Sequence, residues 1–160
     1  MARPRRTGHS READRDYLAI AVRALARSDK TVAQIERALQ AKGASEAQCR
    51  AVVRELERRG YLNDEAFAVR WAERALSRRP MGAQRLTAEL LNRGFDESTV
   101  DRAVRRAFHG RSEEELACRA LEGRVRSTPN QLIRFLRQRG FDDDTIHDVT
   151  QINLDTGSEE

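Results

Sequence analysis

The sequence predicts an all-α protein of about nine short helices. Proline occurs at only three of the 160 positions, and stretches of alternating β-branched residues are absent. Apolar residues instead recur three or four positions apart along most of the chain, which places them on one face of a helix. A glycine follows a Lys or Arg at Gly43, Gly60, Gly94 and Gly140. Because glycine readily adopts the left-handed conformation that ends a helix, each of these positions predicts a helix end.

Start signals lie between the glycines and complete the helices. Thr31, Ser45, Ser112 and Thr128 are each followed three residues later by Gln or Glu, the pattern of a capping box at a helix N-terminus. The helices predicted in this way, in chain order, are 17–28, 31–42, 45–59, 64–79, 82–93, 96–109, 112–127, 129–139 and 142–153. Gly123 weakens the seventh helix, because an internal glycine costs about 1 kcal/mol relative to alanine.

Apolar stripes support the helices individually. The first helix carries one stripe and the fourth another; these are Leu18, Ala21, Val22 and Leu25, then Phe67, Ala68, Trp71, Ala75 and Leu76. The second, fifth and eighth helices share a pattern of apolar residues eight and four positions before a glycine. Those residues are Ile35 and Leu39, Leu86 and Leu90, and Leu132 and Leu136. The third, sixth and ninth helices share a second pattern, formed by Cys49 and Val52, Val100 and Ala103, and Ile146 and Val149.

This internal repeat predicts three tandem three-helix modules at 17–60, 61–110 and 111–153. A basic flexible tail, 1–16, precedes them and an acidic tail, 154–160, follows. A unit of roughly 45 residues is too small to bury much surface by itself, so neighbouring modules should pack together. We therefore expect an elongated, curved array, a shape that commonly binds a large partner.

The modest net charge of +4 hides a strong asymmetry. Residues 17–140 contain 25 basic and 16 acidic side chains, whereas 141–160 contain seven acids and no Lys or Arg. Such a basic body is typical of proteins that bind polyanions or acidic protein surfaces. A solvated helical surface with ion pairs four residues apart, such as Glu55–Arg59 and Asp101–Arg105, would show the same composition.

Several classes of protein are excluded by the same sequence. Cys49 and Cys118 lie too far apart for a metal knuckle, and two cysteines do not form a disulfide framework. His9, His109 and His147 have no chelating or triad spacing, and no apolar run is long enough for a membrane span. Asp142, Asp143 and Asp144 open a helix, where acids complement its dipole more simply than they form a metal site. We predict a cytoplasmic protein that is no enzyme and has no metal or cofactor.

Three rows of arginines are the candidate contact residues. The central row, Arg70, Arg74 and Arg78, recurs every four residues on the face that we expect to lie opposite Phe67, Trp71 and Ala75; Arg79 extends it. The third and sixth helices carry the other two rows, which are Arg50, Arg54 and Arg58, and Arg102, Arg105 and Arg106. Rows of this kind could follow a phosphate backbone or dock in an acidic groove.

The segment from Gly60 to Ala68, Gly-Tyr-Leu-Asn-Asp-Glu-Ala-Phe-Ala, resembles the RecX family of recombination regulators. Members carry G-x-[LI]-[ND]-D-x-x-[FY]-A, then a basic helix, a Gly, an E-L pair and a K/R-G turn. The matching residues are Gly60, Leu62, Asn63, Asp64, Phe67, Ala68, Gly82, Glu89, Leu90 and Gly94, with Gly140 and Phe141 in the closing R-G-F turn. The resemblance covers about residues 17–150. The first module lacks the usual basic run before a serine, having Arg27-Ser28-Asp29-Lys30-Thr31 instead.

The resemblance implies three three-helix modules and a bacterial regulator of DNA repair and the SOS response. It implies binding in the groove of the RecA recombinase filament and to single-stranded DNA, with double-stranded DNA left open. Binding of this kind typically suppresses RecA ATP hydrolysis and strand exchange. We expect a monomer, and we expect the family motif to be structural while the arginine rows make the contacts.

Two other classes remain open at this point. A helix-turn-helix protein would bind duplex DNA selectively without RecA, since three-helix units with glycine turns occur in that class too. A helical adaptor would bind protein alone and have no affinity for nucleic acid.

Overall fold

The computed structural model describes residues 8–124 and 127–156, with side chains described over 16–124 and 127–151. This part of the chain contains nine helices and no strand, which confirms the all-α repeat. The helices are α1 (Gly8–Arg27), α2 (Val32–Gln40), α3 (Glu46–Arg58), α4 (Asp64–Arg78), α5 (Ala83–Asn92), α6 (Glu97–Phe108), α7 (Glu113–Leu121), α8 (Pro129–Gln138) and α9 (Asp143–Thr156).

The local signals act as the sequence predicts. Gly43, Gly60, Gly94 and Gly140 all have positive φ, between 70° and 90°. Thr31 and Ser45 form complete capping boxes, with each hydroxyl accepting from the backbone N–H three residues on. The backbone N–H of Thr128 donates to Gln131 Oε1 at 2.9 Å, which begins α8.

Three helix bounds differ from the prediction by three residues or more. α1 begins at Gly8, so residues 8–16 are helical, because the good helix formers Arg, Glu and Ala extend the helix beyond its apolar stripe. α7 ends at Leu121 and not at 127, because Gly123 adopts a φ of +78°. α9 continues to Thr156, past the predicted end at 153. The outer parts of the two predicted tails, 1–7 and 157–160, lie outside the described residues.

Contacts divide the chain into two compact units, Met1–Phe67 and Ala68–Glu160. In the first unit, α1, α2 and α3 pack against one another around a core that includes Cys49, a member of the second repeated pattern. Its other buried members are Ala21, Ile35, Leu39, Ala44, Val52, Val53, Leu56 and Leu62.

The second unit contains most of α4 and all of α5 to α9. α5 packs on α6, and α7, α8 and α9 pack against one another. The repeated apolar positions Leu86, Leu90, Val100, Leu136 and Val149 are at most 1% exposed. The division into three modules at 17–60, 61–110 and 111–153 remains a prediction.

Over the described residues, no helix has the length and apolar character needed to cross a membrane. The described side chains also contain no group of three or more His, Cys, Asp or Glu that could hold a metal ion.

Candidate functional site

The row on α4 is exposed along its whole length. Arg70, Arg74 and Arg78 are all exposed to solvent. None of the three forms an ion pair within the described part of the chain. The buried residues of this helix are Ala68, Ala72 and Leu76. Each arginine follows one of them by two positions, about 200° around the helix, so the row faces away from the core.

The predicted relation of this row to Phe67, Trp71 and Ala75 is wrong. Those three side chains are only half-buried, and they flank the buried stripe. The Cζ atom of Arg93 lies 4.3 Å from the centroid of the Trp71 ring, so a cation–π contact covers part of that flank. Each arginine follows its aromatic residue or alanine by three positions, as Arg70 follows Phe67. Residues at this spacing lie on neighbouring faces of a helix and not on opposite ones.

The row on α3 is partly engaged in surface ion pairs. Arg50 contacts Glu46 at 3.4 Å, and Arg58 makes two hydrogen bonds to Glu55, at 2.7 and 2.8 Å, while Arg54 is exposed and makes no ion pair within the described residues. Hydrogen bonds from Arg58 and Arg59 lower the pKa of Glu55 to about 2. Exposed pairs of this kind are weak, so a polyanion could displace the carboxylates.

The row on α6 has a similar character. Arg105 pairs with Asp101 at 3.2 Å, Arg102 donates to the Thr99 hydroxyl at 3.4 Å, and Arg106 is exposed. The α3 row belongs to the first compact unit, whereas the α4 and α6 rows belong to the second.

Arg79 departs from the row that it was expected to extend. Its guanidinium turns to Glu89 of α5, with Nη2 2.7 Å from Oε1. The same oxygen accepts from Arg85 Nε at 3.0 Å, so one carboxylate serves two guanidiniums.

Two further arginines, which sequence reasoning missed, join this pair. Arg139 donates from Nη1 to the carbonyl of Pro80 at 3.0 Å, and Arg85 donates to the carbonyl of Gln138 at 2.8 Å. Arg124 lies over the ring of Phe135, with Cζ 3.6 Å from the ring centroid, and Arg139 contacts the same ring at 4.7 Å. We call Arg79, Arg85, Arg124 and Arg139 the arginine cluster.

Electrostatics within the arginine cluster are unfavourable. Burial lowers the pKa of Arg139, the charges of Arg79, Arg124 and Arg85 lower it further, and the charge of Glu89 acts in the opposite direction. Arg139 therefore lies close enough to the other three guanidiniums to be repelled by each of them.

Two glycines of the family motif bring the cluster together. The Gly82 N–H donates to the Arg139 carbonyl at 2.9 Å, and a Cβ at position 82 would collide with the Gly140 carbonyl. A Cβ at position 140 would lie 2.6 Å from the backbone nitrogen of Arg85. This backbone contact joins α5 to the turn between α8 and α9. The presence of both glycines in the family motif was the only signal for this contact in the sequence.

The remaining motif residues organise helix ends. Asn63 Oδ1 accepts from the Ala66 N–H at 2.9 Å and begins α4. Both Asp64 oxygens lie 3.1 Å from the Val32 nitrogen, so the start of α4 also caps α2. Leu62, Ala68, Leu90 and Phe141 are buried, Phe67 is half-buried, and Gly60 and Gly94 end their helices with positive φ.

Comparison with known proteins gives one consistent result. Residues 63–104 match the family model described as RecX, second three-helix domain. A regulatory protein RecX from Thermus thermophilus is 37% identical over 126 residues, covering 79% of this chain and 84% of that protein. A regulatory protein RecX from Chlorobaculum tepidum is 31% identical over 142 residues, covering 84% of this chain and 86% of that protein.

Solved structures agree at the level of the fold. The crystal structure of RecX from Lactobacillus salivarius superimposes with a TM-score of 0.75 at 15% identity, covering 89% of this chain and 97% of that one. A second crystal structure of a regulatory protein RecX gives a TM-score of 0.76 at 18% identity, covering 89% of this chain and 75% of that one.

Proposed function

Because this chain belongs to the RecX family of regulatory proteins, we propose that it regulates homologous recombination and DNA repair by binding the RecA filament. The protein lies in the helical groove of the filament, contacts DNA there, and inhibits RecA ATP hydrolysis and strand exchange. It acts in the bacterial cytoplasm as a monomer and catalyses no reaction of its own.

The exposed arginines of α4 carry this proposal. Arg70, Arg74 and Arg78 have no carboxylate partner among the described residues and point away from the core, so they are available to an acidic or phosphate-bearing surface. The rows on α3 and α6 add further contacts, and their members Arg50, Arg58 and Arg105 exchange weak surface ion pairs for the partner. The other members of these two rows are Arg54, Arg102 and Arg106. Arg79 contributes through the arginine cluster.

Inhibition of this kind requires no catalytic group. A ligand that binds one state of the filament more tightly than another shifts the filament toward that state by its difference in affinity. The inhibition we propose is therefore a binding effect, set by how many contacts each filament state offers.

The test is RecA ATPase activity on single-stranded DNA with substoichiometric amounts of this protein. We expect inhibition by the natural protein and a clear loss of inhibition for R70A/R74A/R78A. The matched control is R23A/R119A/R134A, which removes the same charge from three exposed arginines outside the rows and the cluster. Full inhibition by a folded R70A/R74A/R78A protein would exclude the α4 row, and no inhibition by the natural protein would exclude the function.

The same assay, together with direct measurements of DNA binding, separates the alternatives. A helix-turn-helix protein would bind duplex DNA selectively and leave RecA unaffected, whereas a helical adaptor would bind protein alone and have no affinity for DNA. We expect neither pattern.

A further inference from the structure

We propose that the arginine cluster, Arg79, Arg85, Arg124 and Arg139, is a binding site for single-stranded nucleic acid. Its guanidiniums contact backbone phosphates, and Arg124 stacks beneath an unpaired base. This site rests on the proposed function and deepens its DNA contact, and its residues are not members of the exposed rows on α3, α4 and α6.

Unbalanced charge is the first argument. Glu89 pairs with Arg79 and Arg85 through one oxygen, and no acidic partner of Arg124 or Arg139 is found among the described residues. Close like charges raise the free energy of the folded state, and a bound anion relieves this repulsion. Phosphate matches the planar fork of a guanidinium with two parallel hydrogen bonds.

Rigidity is the second argument. Arg85 and Arg139 are each held by a hydrogen bond to a backbone carbonyl on the other side of the contact between α5 and the α8–α9 turn. Gly82 and Gly140 allow that contact, because a side chain at either position would collide with the backbone opposite. Guanidiniums held in place before binding lose less conformational entropy when the ligand arrives.

The aromatic contact selects single strands. Arg124 is exposed although its guanidinium lies over the Phe135 ring, so this residue is accessible to a ligand. Unpaired bases stack on guanidinium planes as they do on aromatic rings, whereas bases in a duplex have no free face. The cluster therefore combines phosphate contacts with a stacking surface.

The test measures DNA binding in the absence of RecA. Fluorescence anisotropy of a labelled oligo-dT of about 25 nucleotides is followed across about 50 to 200 mM NaCl. For R85Q/R139Q and for R79Q/R124Q we expect affinity to fall about tenfold. Each phosphate contact on a single strand contributes about 0.7 to the slope of log K against log salt. We therefore expect this slope to become shallower by about 1.4 for R85Q/R139Q and by about 0.7 for R79Q/R124Q, in which Arg79 contacts a phosphate and Arg124 stacks on a base.

Two controls isolate the cluster. R23Q/R119Q removes the same charge from exposed sites elsewhere and should change both quantities less. Arg124→Lys keeps the charge and removes the stacking plane, so it should weaken oligo-dT binding while duplex binding stays near its original value. Because R79Q/R124Q leaves the two arginine-to-carbonyl hydrogen bonds intact, it carries the test if R85Q/R139Q fails to fold.

Unchanged DNA affinity and an unchanged salt slope in folded cluster variants would overturn this proposal. If those variants lost RecA binding while DNA affinity was unchanged, the cluster would be assigned to contact with an acidic protein surface. The RecA ATPase assay on the same variants keeps the two proposals distinct. If the cluster variants lose DNA affinity while the natural protein fails to inhibit RecA, those two results together would support the binding site and reject the proposed function.

Discussion

Gly82 and Gly140 join two distant segments of the second compact unit. They lie 58 positions apart in the chain, yet the Gly82 N–H bonds the carbonyl next to Gly140, and neither position has room for a Cβ. Gly140 in addition has a φ of +75°. One residue here satisfies two demands, since it ends α8 and admits the backbone of α5.

Replacing Gly140 by alanine should therefore destabilise the protein by more than left-handed strain alone. Gly110 has nearly the same φ, +74°, but nothing lies within 4 Å of a Cβ built there, so Gly110→Ala is the matched control. We expect the control to cost about 1 to 2 kcal/mol and Gly140→Ala to cost about 1 to 3 kcal/mol more. Urea unfolding of both variants measures the difference, and equal losses would show that the close approach is harmless.

Helices in this molecule are capped by one another as well as by their own residues. Asp64 at the start of α4 caps α2, and Glu113 at the start of α7 accepts from the Ala83 N–H at 2.6 Å. That second contact supplies α5 with an acceptor that its own N-cap residue, Gly82, has no side chain to provide. The order of the helices is thus tied to specific carboxylates.

Burial of the Glu113 carboxyl should make stability depend on pH. This burial raises the pKa of Glu113, and the charges of Asp142 and Glu114 and a hydrogen bond with Asp142 add to the increase, while the bond from the Ala83 N–H opposes it. The folded state then holds this proton at pH values where the unfolded chain, with a pKa near 4.5, has lost it. The stabilisation is present below about pH 4.5 and is lost as pH rises through the folded-state value.

We expect the free energy of unfolding of the natural protein, relative to Glu113→Gln, to fall as pH rises from about 4 to about 7. Glu114→Gln is the control in the same turn, because hydrogen bonds to its own backbone N–H and to Ser112 lower the pKa of Glu114. The free energy of unfolding of the natural protein, relative to Glu114→Gln, should change in the opposite direction and increase as pH rises. Urea unfolding at several pH values checks both, and parallel pH profiles would contradict the assignment.

At the scale of the whole molecule, charge and exposed apolar surface set how copies of the chain behave toward one another. Among the described residues, the only large apolar side chains classed as exposed are Tyr61 and Leu91. Large apolar patches mark permanent interfaces, and exposed like charges repel. Neither feature favours self-association.

Sedimentation velocity should therefore give a mass of 18.2 kDa at both low and high salt. A dimer at high salt alone would indicate that charge repulsion had hidden an apolar interface. In that case Leu91→Glu should restore the monomer if the interface includes α5. A dimer at every salt concentration would contradict the prediction directly.

Most of the fold could be predicted from the sequence because its signals are local. Capping boxes, glycine stops and apolar spacing each act within a few residues, and they locate all nine helices of the described chain. The errors occur where local signals compete: Gly123 ends α7 early, and good helix formers extend α1 back to Gly8. The arginine rows were also predictable, since exposure on a helix follows from its periodicity.

Local signals in the sequence thus specify the helices of the described chain, most of their ends, the repeated apolar positions and the exposed rows of arginine. Which arginines converge depends on tertiary contacts, because Arg85 and Gln138 are 53 residues apart and Arg139 and Pro80 are 59 apart. The same holds for the cap from Glu113 to Ala83, across 30 residues. Contacts at these separations depend on how closely two backbones approach, and here that distance is set by two glycines whose partners no local pattern reveals.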